Sequence, residues 1–233
     1  MSDIEKAKAR AASVALNYLL EARVIGIGTG TTVGVLIEKL ANDSRFKGKL
    51  FVPSSIDTAL KLSKLGFNVL YPATISEIDV YVDSADEVDP NLNMIKGGGA
   101  ALTQEKVLTY FSKRRIFIVD HRKLVSFLGT FSPVPIEVIP NAITMILTLL
   151  RKQGYKASLR LSSKGKYGPI TSDNGGIIID IYTGKIEDPE ELDIRLKNIP
   201  GVIETGIFTR LADIVIVGYP DTVKILKSER RSS

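Results

Sequence analysis

The spacing of hydrophobic residues in the first half of the chain alternates between two periods. Apolar residues three and four positions apart predict helices over residues 4–20, 32–40, 56–65 and about 100–113. Short apolar runs predict strands over residues 24–28, 50–53, 68–71, 79–82 and 115–119. This alternation is typical of parallel strands joined by helical crossovers, so we predict an α/β fold with a doubly wound, mostly parallel, Rossmann-like sheet.

The alternation of predicted strands and helices changes after residue 128, where Pro133 and Pro135 interrupt it. Strands and helices then follow in the order β-α-β-β-α-β, over residues 136–139, 142–151, 157–161, 177–182, 189–197 and 202–204. This order predicts a ferredoxin-like α+β unit, and the sequence Asp173-Asn174-Gly175-Gly176 predicts a turn between its two central strands. An apolar strand at 212–217 and a final helix from about residue 221 would return to the first domain.

These patterns predict two domains. A Rossmann-like catalytic domain would comprise residues 1–130 and 207–233, and a smaller ferredoxin-like α+β domain residues 131–206.

The amino-acid composition excludes several classes of catalytic and metal site. The 233 residues include no cysteine and one histidine, which excludes disulfides, thiol nucleophiles and thiolate zinc sites. The net charge of +5 is mild and spread along the chain, so it favours a small anionic ligand such as a sugar phosphate and does not require nucleic acid. No apolar run approaches the roughly 18 residues of a membrane span, and the N-terminus lacks the pattern of a secretory leader, so we expect a cytoplasmic protein without a membrane partner.

Four segments rich in small and ionisable residues lie at or near the ends of predicted strands, where open α/β sheets bind ligands. The first, residues 26–32, can surround an anion with backbone N–H groups and hydroxyls. It lacks both the third glycine of a dinucleotide-binding turn and the Gly-Lys-Ser or Gly-Lys-Thr ending of a nucleotide-triphosphate loop. Glycines that serve only tight strand–helix packing remain an alternative.

The second segment, residues 83–87, contains three carboxylates. They could hold sugar hydroxyls, bind a hard cation or form a solvated loop. In the third segment Lys96 precedes three glycines, a costly arrangement to order unless the backbone approaches a ligand. Lys96 can neutralise an oxyanion there. Glu105 would lie in the first turns of the helix that follows, although most glutamates are surface residues.

The fourth segment is Asp120-His121-Arg122-Lys123. Lys123 is the better candidate for a contact with phosphate or hydroxyl groups. A lone loop histidine is more often solvated than reactive, so we leave His121 out of the mechanism.

Taken together, these residues resemble the ribose-5-phosphate isomerase type A family. The motifs that carry the resemblance are Gly28-Thr29-Gly30-Thr31-Thr32, Ser54-Ser55, Asp83-Ser84-Ala85-Asp86-Glu87 and the segment 96–106. Further matches at 135–140, 171–175 and 199–202 extend it over nearly the whole chain. Ser84 stands where the family more often has glycine. Type B isomerases, which are unrelated and use a cysteine base, are excluded because the chain has no cysteine.

The resemblance implies an aldose–ketose isomerase that interconverts D-ribose 5-phosphate and D-ribulose 5-phosphate in the non-oxidative pentose phosphate pathway. Glu105 would transfer the proton through an enediol or enediolate, Lys96 would stabilise the oxyanion, and Asp83 and Asp86 would position hydroxyls or assist ring opening. The expected substrate contacts are Thr29, Gly30, Thr31, Thr32, Asp83, Ser84, Ala85, Asp86, Lys96, Gly97, Gly98, Gly99 and Lys123. We expect no metal and no cofactor, and a homodimer or homotetramer.

Two other functions stay open from the sequence. One is a non-catalytic sugar-phosphate sensor domain, and the other is a neighbouring sugar-phosphate enzyme such as a deaminase or a lactonase. The presence of Glu105, Lys96, Asp83 and Asp86, and the absence of a helix-turn-helix segment before the sheet, favour the isomerase.

Overall fold

The computed structural model describes residues 1–162 and 167–228. The chain forms two compact units. Unit 1 comprises Met1–Ala85, Gln104–Lys123 and the chain from Leu211, and unit 2 comprises Asp86–Thr103 and Leu124–Arg210. The segment 86–103 therefore belongs to the smaller unit by its contacts. The domain limits given above remain a prediction, and their last residues, 229–233, lie outside the described residues.

The helices are α1 (Asp3–Leu19), α2 (Thr31–Ala41), α3 (Ile56–Lys64), α4 (Leu102–Tyr110), α5 (Ile143–Lys152) and α6 (Pro189–Lys197). The strands are β1 (Val24–Ile27), β2 (Leu50–Pro53), β3 (Asn68–Val69), β4 (Ile78–Asp83), β5 (Glu87–Val88), β6 (Met94–Ile95), β7 (Ser112–Asp120), β8 (Val134–Val138), β9 (Lys156–Leu159), β10 (Ile177–Tyr182), β11 (Val202–Thr205), β12 (Ile207–Phe208), β13 (Ile214–Gly218) and β14 (Val223–Lys227).

Unit 1 is built on a seven-stranded sheet in the order β14-β13-β7-β4-β1-β2-β3. Every neighbouring pair is parallel except β13 and β14. The predicted α/β class with a mostly parallel sheet is confirmed. The chain proceeds from β1 outward to β2 and β3, then returns to place β4 on the other side of β1. This reversal opens a crevice at the carboxyl ends of β1 and β4, where such sheets bind ligands.

The predicted final helix from about residue 221 is wrong, because this segment is β14, antiparallel to β13. The segment Val223-Lys224-Ile225-Leu226-Lys227 combines β-branched residues with two exposed lysines, which suits an edge strand better than a helix. The Tyr219 N–H donates to the Thr222 carbonyl at 2.9 Å, and this tight turn returns the chain along the edge of β13.

Helix α1 packs on the sheet of unit 1 through small residues. Ser2 starts the helix with a capping box, in which its hydroxyl accepts from the Glu5 N–H and the Glu5 carboxylate accepts from the Ser2 N–H. Ala7, Ala11 and Ala15 are fully buried, so the helix backbone can approach the sheet closely. A Cβ added to Gly218 at the end of β13 would lie 1.9 Å from the Ala7 carbonyl oxygen.

Unit 2 contains a four-stranded antiparallel sheet in the order β11-β8-β10-β9, with α5 and α6 in the crossovers. The order of elements is β-α-β-β-α-β, as a ferredoxin-like unit requires, and this prediction is confirmed. Gly175 in the predicted turn adopts a φ of +84°, which favours glycine. A further small sheet, β12-β6-β5, was not predicted, because strands of two residues are too short to show a period.

Within residues 1–162 and 167–228, no helix combines the length and the apolar character needed to cross a bilayer.

We predict that Gly218→Ala lowers the free energy of unfolding by about 1–3 kcal/mol, since the new methyl group must displace the backbone of α1 from β13. Gly34→Ala is the matched control, because a Cβ there meets nothing within 4 Å. Gly34 lies inside α2, so its replacement should raise stability by about 0.5–1 kcal/mol. Urea unfolding of both variants checks the prediction, and equal stability of Gly218→Ala and the parent would contradict it.

Candidate active site

The order of strands in unit 1 places three loops side by side. The loop after β1 lies between the ends of β4 and β2, because β1 pairs with both strands. The Gly28 N–H donates to the Val82 carbonyl at 2.9 Å, and the Ser54 N–H donates to the Ile27 carbonyl at 2.9 Å. The predicted segments 26–32 and 83–85 and the serine pair at 54–55 therefore meet at one edge of the sheet.

Asp83 carries a fully buried carboxylate at the end of β4. Its oxygens accept hydrogen bonds from the Thr29 N–H at 3.2 Å, the Ser84 N–H at 2.7 Å and the Tyr81 hydroxyl at 2.6 Å. A Cβ on Gly28 would lie 1.9 Å from Asp83 Cγ, so only glycine leaves room for this carboxylate. Gly28 is thus required for the placement of the Asp83 side chain, and not only for strand–helix packing.

A cluster of hydroxyl groups lies on the other side of the β1 loop. The Thr29 hydroxyl donates to Ser55 Oγ at 2.7 Å and lies 2.9 Å from Ser54 Oγ. Thr58 donates to the Gly28 carbonyl at 2.8 Å. Ser55 also caps α3 by accepting from the Thr58 N–H. These serines and Thr58 fix the Thr29 side chain and the loop backbone.

The end of this loop is suited to an anion. Gly30 adopts a φ of +136°, and α2 begins at the next residue, so the first N–H groups of the helix open toward the loop. Lys8 of α1 donates to Thr31 Oγ1 at 2.7 Å and adds a positive charge. Thr32 is buried. The sequence did not indicate Lys8, because nothing in the periodicity of α1 shows which loop the helix lies against.

Glu105 lies in the first turn of α4 and is only 2% exposed. The pKa of the Tyr81 phenol is raised well above its ordinary value. The largest cause is burial, and the negative charges of Asp83 and Glu105 add to it. Glu105 therefore acts electrostatically on the Tyr81–Asp83 pair of the same unit. Tyr81 keeps its proton and remains a hydrogen-bond donor to Asp83 at neutral pH.

Helix α4 begins two residues later than predicted. Ala100 has a φ of +60°, a left-handed conformation that a helix cannot continue through, and the helix starts at Leu102.

Unit 2 carries Asp86, Lys96 and the three glycines on two adjoining segments. The Asp86 N–H donates to the Ile95 carbonyl at 2.8 Å, and the Gly98 N–H donates to Asp86 Oδ2 at 2.9 Å. Lys96 is 2% exposed, and its Nζ lies 5.3 Å from the centroid of the Phe208 ring. Gly97 adopts a φ of +101°, and Gly98 is exposed along with the glycine after it. The structure thus brings Asp86 together with the triple-glycine loop.

The last three predicted residues differ in exposure. Ala85 is buried, Gly99 is exposed, and Lys123 lies half-buried in a short 3-10 turn after β7. Burial alone would raise the pKa of Asp120, but hydrogen bonds from Arg122 and the charges of Arg122 and Lys123 lower it below its ordinary value.

Glu87 has a structural task. It is fully buried, and its carboxylate accepts the N–H groups of Gly129, Thr130, Phe131 and Ser132. The three carboxylates of segment 83–87 therefore do not form one solvated acidic loop. Among the residues that the structure describes, no group of three or more His, Asp and Glu side chains is placed to hold a metal ion.

Comparison with known proteins supplies the family. A family model described as ribose 5-phosphate isomerase A (phosphoriboisomerase A) matches residues 50–222. The chain belongs to the ribose 5-phosphate isomerase A family. The ribose-5-phosphate isomerase A of Thermococcus kodakarensis is 43% identical over 225 residues, which cover 95% of this chain and 98% of the relative. That of Pyrococcus abyssi is 45% identical over 229 residues, covering 97% and 99%.

Solved structures agree with this family. A D-ribose-5-phosphate isomerase in complex with phospho-erythronic acid superposes with a TM-score of 0.93 at 44% identity, covering 97% of this chain and all of the other. The ribose 5-phosphate isomerase A of Methanocaldococcus jannaschii gives a TM-score of 0.89 at 37% identity, covering 96% and 99%. The predicted family and the predicted class of aldose–ketose isomerase are confirmed, in preference to a sensor domain, a deaminase or a lactonase.

We predict that Tyr81→Phe changes the alkaline stability of this protein. In the unfolded chain Tyr81 ionises at a pH of about 10, whereas the folded protein keeps it protonated. Its contribution is fully present below pH 10 and is lost as the pH rises further, at up to about 1.4 kcal/mol per pH unit.

Denaturant unfolding at pH 9, 10 and 11 checks this. The stability of the parent relative to Tyr81→Phe should fall with rising pH. Tyr71→Phe, at a residue 72% exposed, is the control and should keep the pH dependence of the parent. Parallel pH profiles for the parent and Tyr81→Phe would be inconsistent with the raised pKa.

Proposed function

We propose that this isomerase interconverts D-ribose 5-phosphate and D-ribulose 5-phosphate by transferring a proton between C1 and C2 through an enediol or enediolate, with Glu105 as the base. The observation that carries the assignment of the base is the burial of Glu105 in unit 1, where its charge acts on the Tyr81–Asp83 pair. Such a carboxylate can take the proton from one carbon, and the carboxylic acid that results can protonate the neighbouring carbon.

The proposed reaction needs two further functions near the carbonyl group. Lys96 is a buried cation on the triple-glycine segment, and a positive charge in a site of low dielectric stabilises a developing oxyanion strongly. Asp83 and Asp86 are carboxylates held by main-chain N–H groups. Their oxygens can accept hydrogen bonds from sugar hydroxyls and assist opening of the furanose ring.

The phosphate of the substrate would bind at the loop after β1. Backbone N–H groups at the start of α2, the hydroxyls of Thr31 and Thr32, and the Lys8 ammonium together provide donors and positive charge. Lys123 could contact the same group or a neighbouring hydroxyl.

The ligand of a related structure fits this chemistry. Phospho-erythronic acid, bound to that D-ribose-5-phosphate isomerase, joins a phosphate to a planar carboxylate. A carboxylate resembles the planar, negatively charged enediolate, and transition-state analogues bind more tightly than substrates. For this chain we infer the same preference for a planar anion beside a phosphate.

The resemblance to the family supports a homodimer or homotetramer that works in the cytoplasm. Acid–base groups suffice for the reaction, so we propose that it needs no metal, and turnover should be unchanged after treatment with a chelator.

We predict that Glu105→Gln lowers kcat by roughly two to four orders of magnitude, because glutamine keeps the shape but cannot accept the proton. A coupled assay with ribose 5-phosphate measures this. Glu38→Gln, on the exposed side of α2, is the control and should keep the activity of the parent. Near-normal turnover of Glu105→Gln would refute the assignment.

We also predict that Lys8→Gln raises KM by about tenfold to a hundredfold, the range expected for losing one charged hydrogen bond to phosphate, while kcat changes less. Lys6→Gln is the matched control on the same helix, because Lys6 pairs with Asp3 and not with the loop. A rise in KM that is equal in the two variants would show only the loss of overall charge.

A further inference from the structure

One peptide group in the triple-glycine loop has charged partners at both ends. The Gly97 carbonyl accepts from Arg160 Nη1 at 2.7 Å, and the Gly98 N–H donates to Asp86 Oδ2 at 2.9 Å. This carbonyl and this N–H belong to the same peptide bond. A cation and an anion therefore hold the two ends of its dipole.

Arg160 is itself held in place by Asp180. Arg160 Nε donates to Asp180 Oδ2 at 2.9 Å, and its Nη2 donates to Oδ1. Both side chains are largely buried, at 15% and 12% exposure. Asp180 lies on β10, an inner strand of the four-stranded sheet. The fork of the guanidinium group thus binds the carboxylate with two nitrogens and directs Nη1 at the carbonyls of Gly97 and Gly98.

The loop needs such a constraint because glycine restricts the backbone so little. A peptide between two glycines can rotate with little steric cost, and a rotation would turn the Gly97 carbonyl toward the Asp86 carboxylate. A side chain cannot supply the rigidity. A Cβ on Gly98 would lie 3.0 Å from Asp86 Oδ1, and one on Gly97 would lie 2.8 Å from Leu102 Cβ.

We propose that Arg160, held by Asp180, is a positioning residue for catalysis: it orients the Gly97–Gly98 peptide so that the Gly98 N–H holds the Asp86 carboxylate in the orientation that the substrate meets. This inference rests on the proposed function, in which Asp86 contacts the sugar. It gives the ferredoxin-like sheet a role in the chemistry, because Asp180 belongs to that sheet.

The first test compares Arg160→Lys with Arg115→Lys. A lysine ammonium lacks the planar fork and cannot bind Asp180 with two nitrogens while donating to the glycine carbonyls. We expect kcat to fall about tenfold to a hundredfold, as displacement of a catalytic group by an ångström can cause.

Arg115 is the matched control, because it forms a similar two-nitrogen pair with Asp213 but belongs to unit 1. Arg115→Lys should lose about as much thermal stability as Arg160→Lys but keep the kcat of the parent. Equal kcat in the two variants would overturn the proposal.

A double-mutant cycle with Asp86→Asn separates positioning from general support. If Arg160 acts through Asp86, Arg160→Lys should lower kcat less than about twofold once Asp86 is already asparagine. Losses that multiply in the double variant would contradict the proposal. Should Arg160→Lys fail to fold, Asp180→Asn gives the same test, since it removes the carboxylate that holds the guanidinium.

A measurement without substrate keeps this inference distinct from the proposed function. Hydrogen exchange of the Gly98 amide, followed by NMR, should be faster in Arg160→Lys than in the parent and Arg115→Lys. Faster exchange in Arg160→Lys, together with a parent protein that showed no isomerase activity, would contradict only the proposed function. Unchanged exchange in Arg160→Lys, together with an active parent protein, would contradict only the positioning role of Arg160.

Discussion

The buried carboxylate of Asp83 is the interaction on which the rest of unit 1 depends. A charged group with no exposed surface is stable only when donors surround it, and here two backbone N–H groups and the Tyr81 hydroxyl do so. These donors can converge only because β4 ends beside β1 and because Gly28 has no side chain. The reversal of strand order, the glycine-rich loop and the ionisable residues therefore form one arrangement.

Unit 2 contains a similar arrangement of a carboxylate next to a glycine, built from different residues. Asp86 is also held by a backbone N–H beside a glycine that leaves it room, and the rigidity that glycine cannot give comes from Arg160 and Asp180. In both units a flexible backbone approaches a carboxylate closely, and surrounding polar groups remove the flexibility. Glycines that look costly in the sequence are thus explained by the carboxylates next to them.

Sequence reasoning identified what local pattern determines. The periods of the hydrophobic residues predicted the parallel sheet and the ferredoxin-like unit, which the structure confirms. The same reasoning predicted Asp83, Asp86, Lys96 and Glu105 as site residues, and their roles stay a prediction. It missed what depends on tertiary packing. Lys8 reaches the loop after β1 only because of where α1 lies, Arg160 reaches the glycine carbonyls across a separation of 63 residues, and β14 pairs with an edge that no local pattern reveals. Residues remote in sequence show their roles only after folding.

The central claim is that a carboxylate moves a carbon-bound hydrogen as a proton. The most direct measurement is isomerisation of ribose 5-phosphate in D2O, with deuterium at C1 of the product and at C2 of recovered substrate followed by NMR and mass spectrometry. Because a carboxylic acid exchanges its hydrogen with solvent, the account predicts deuterium on these carbons. Complete isomerisation with the original hydrogen fully retained would indicate a direct hydride shift and would contradict it.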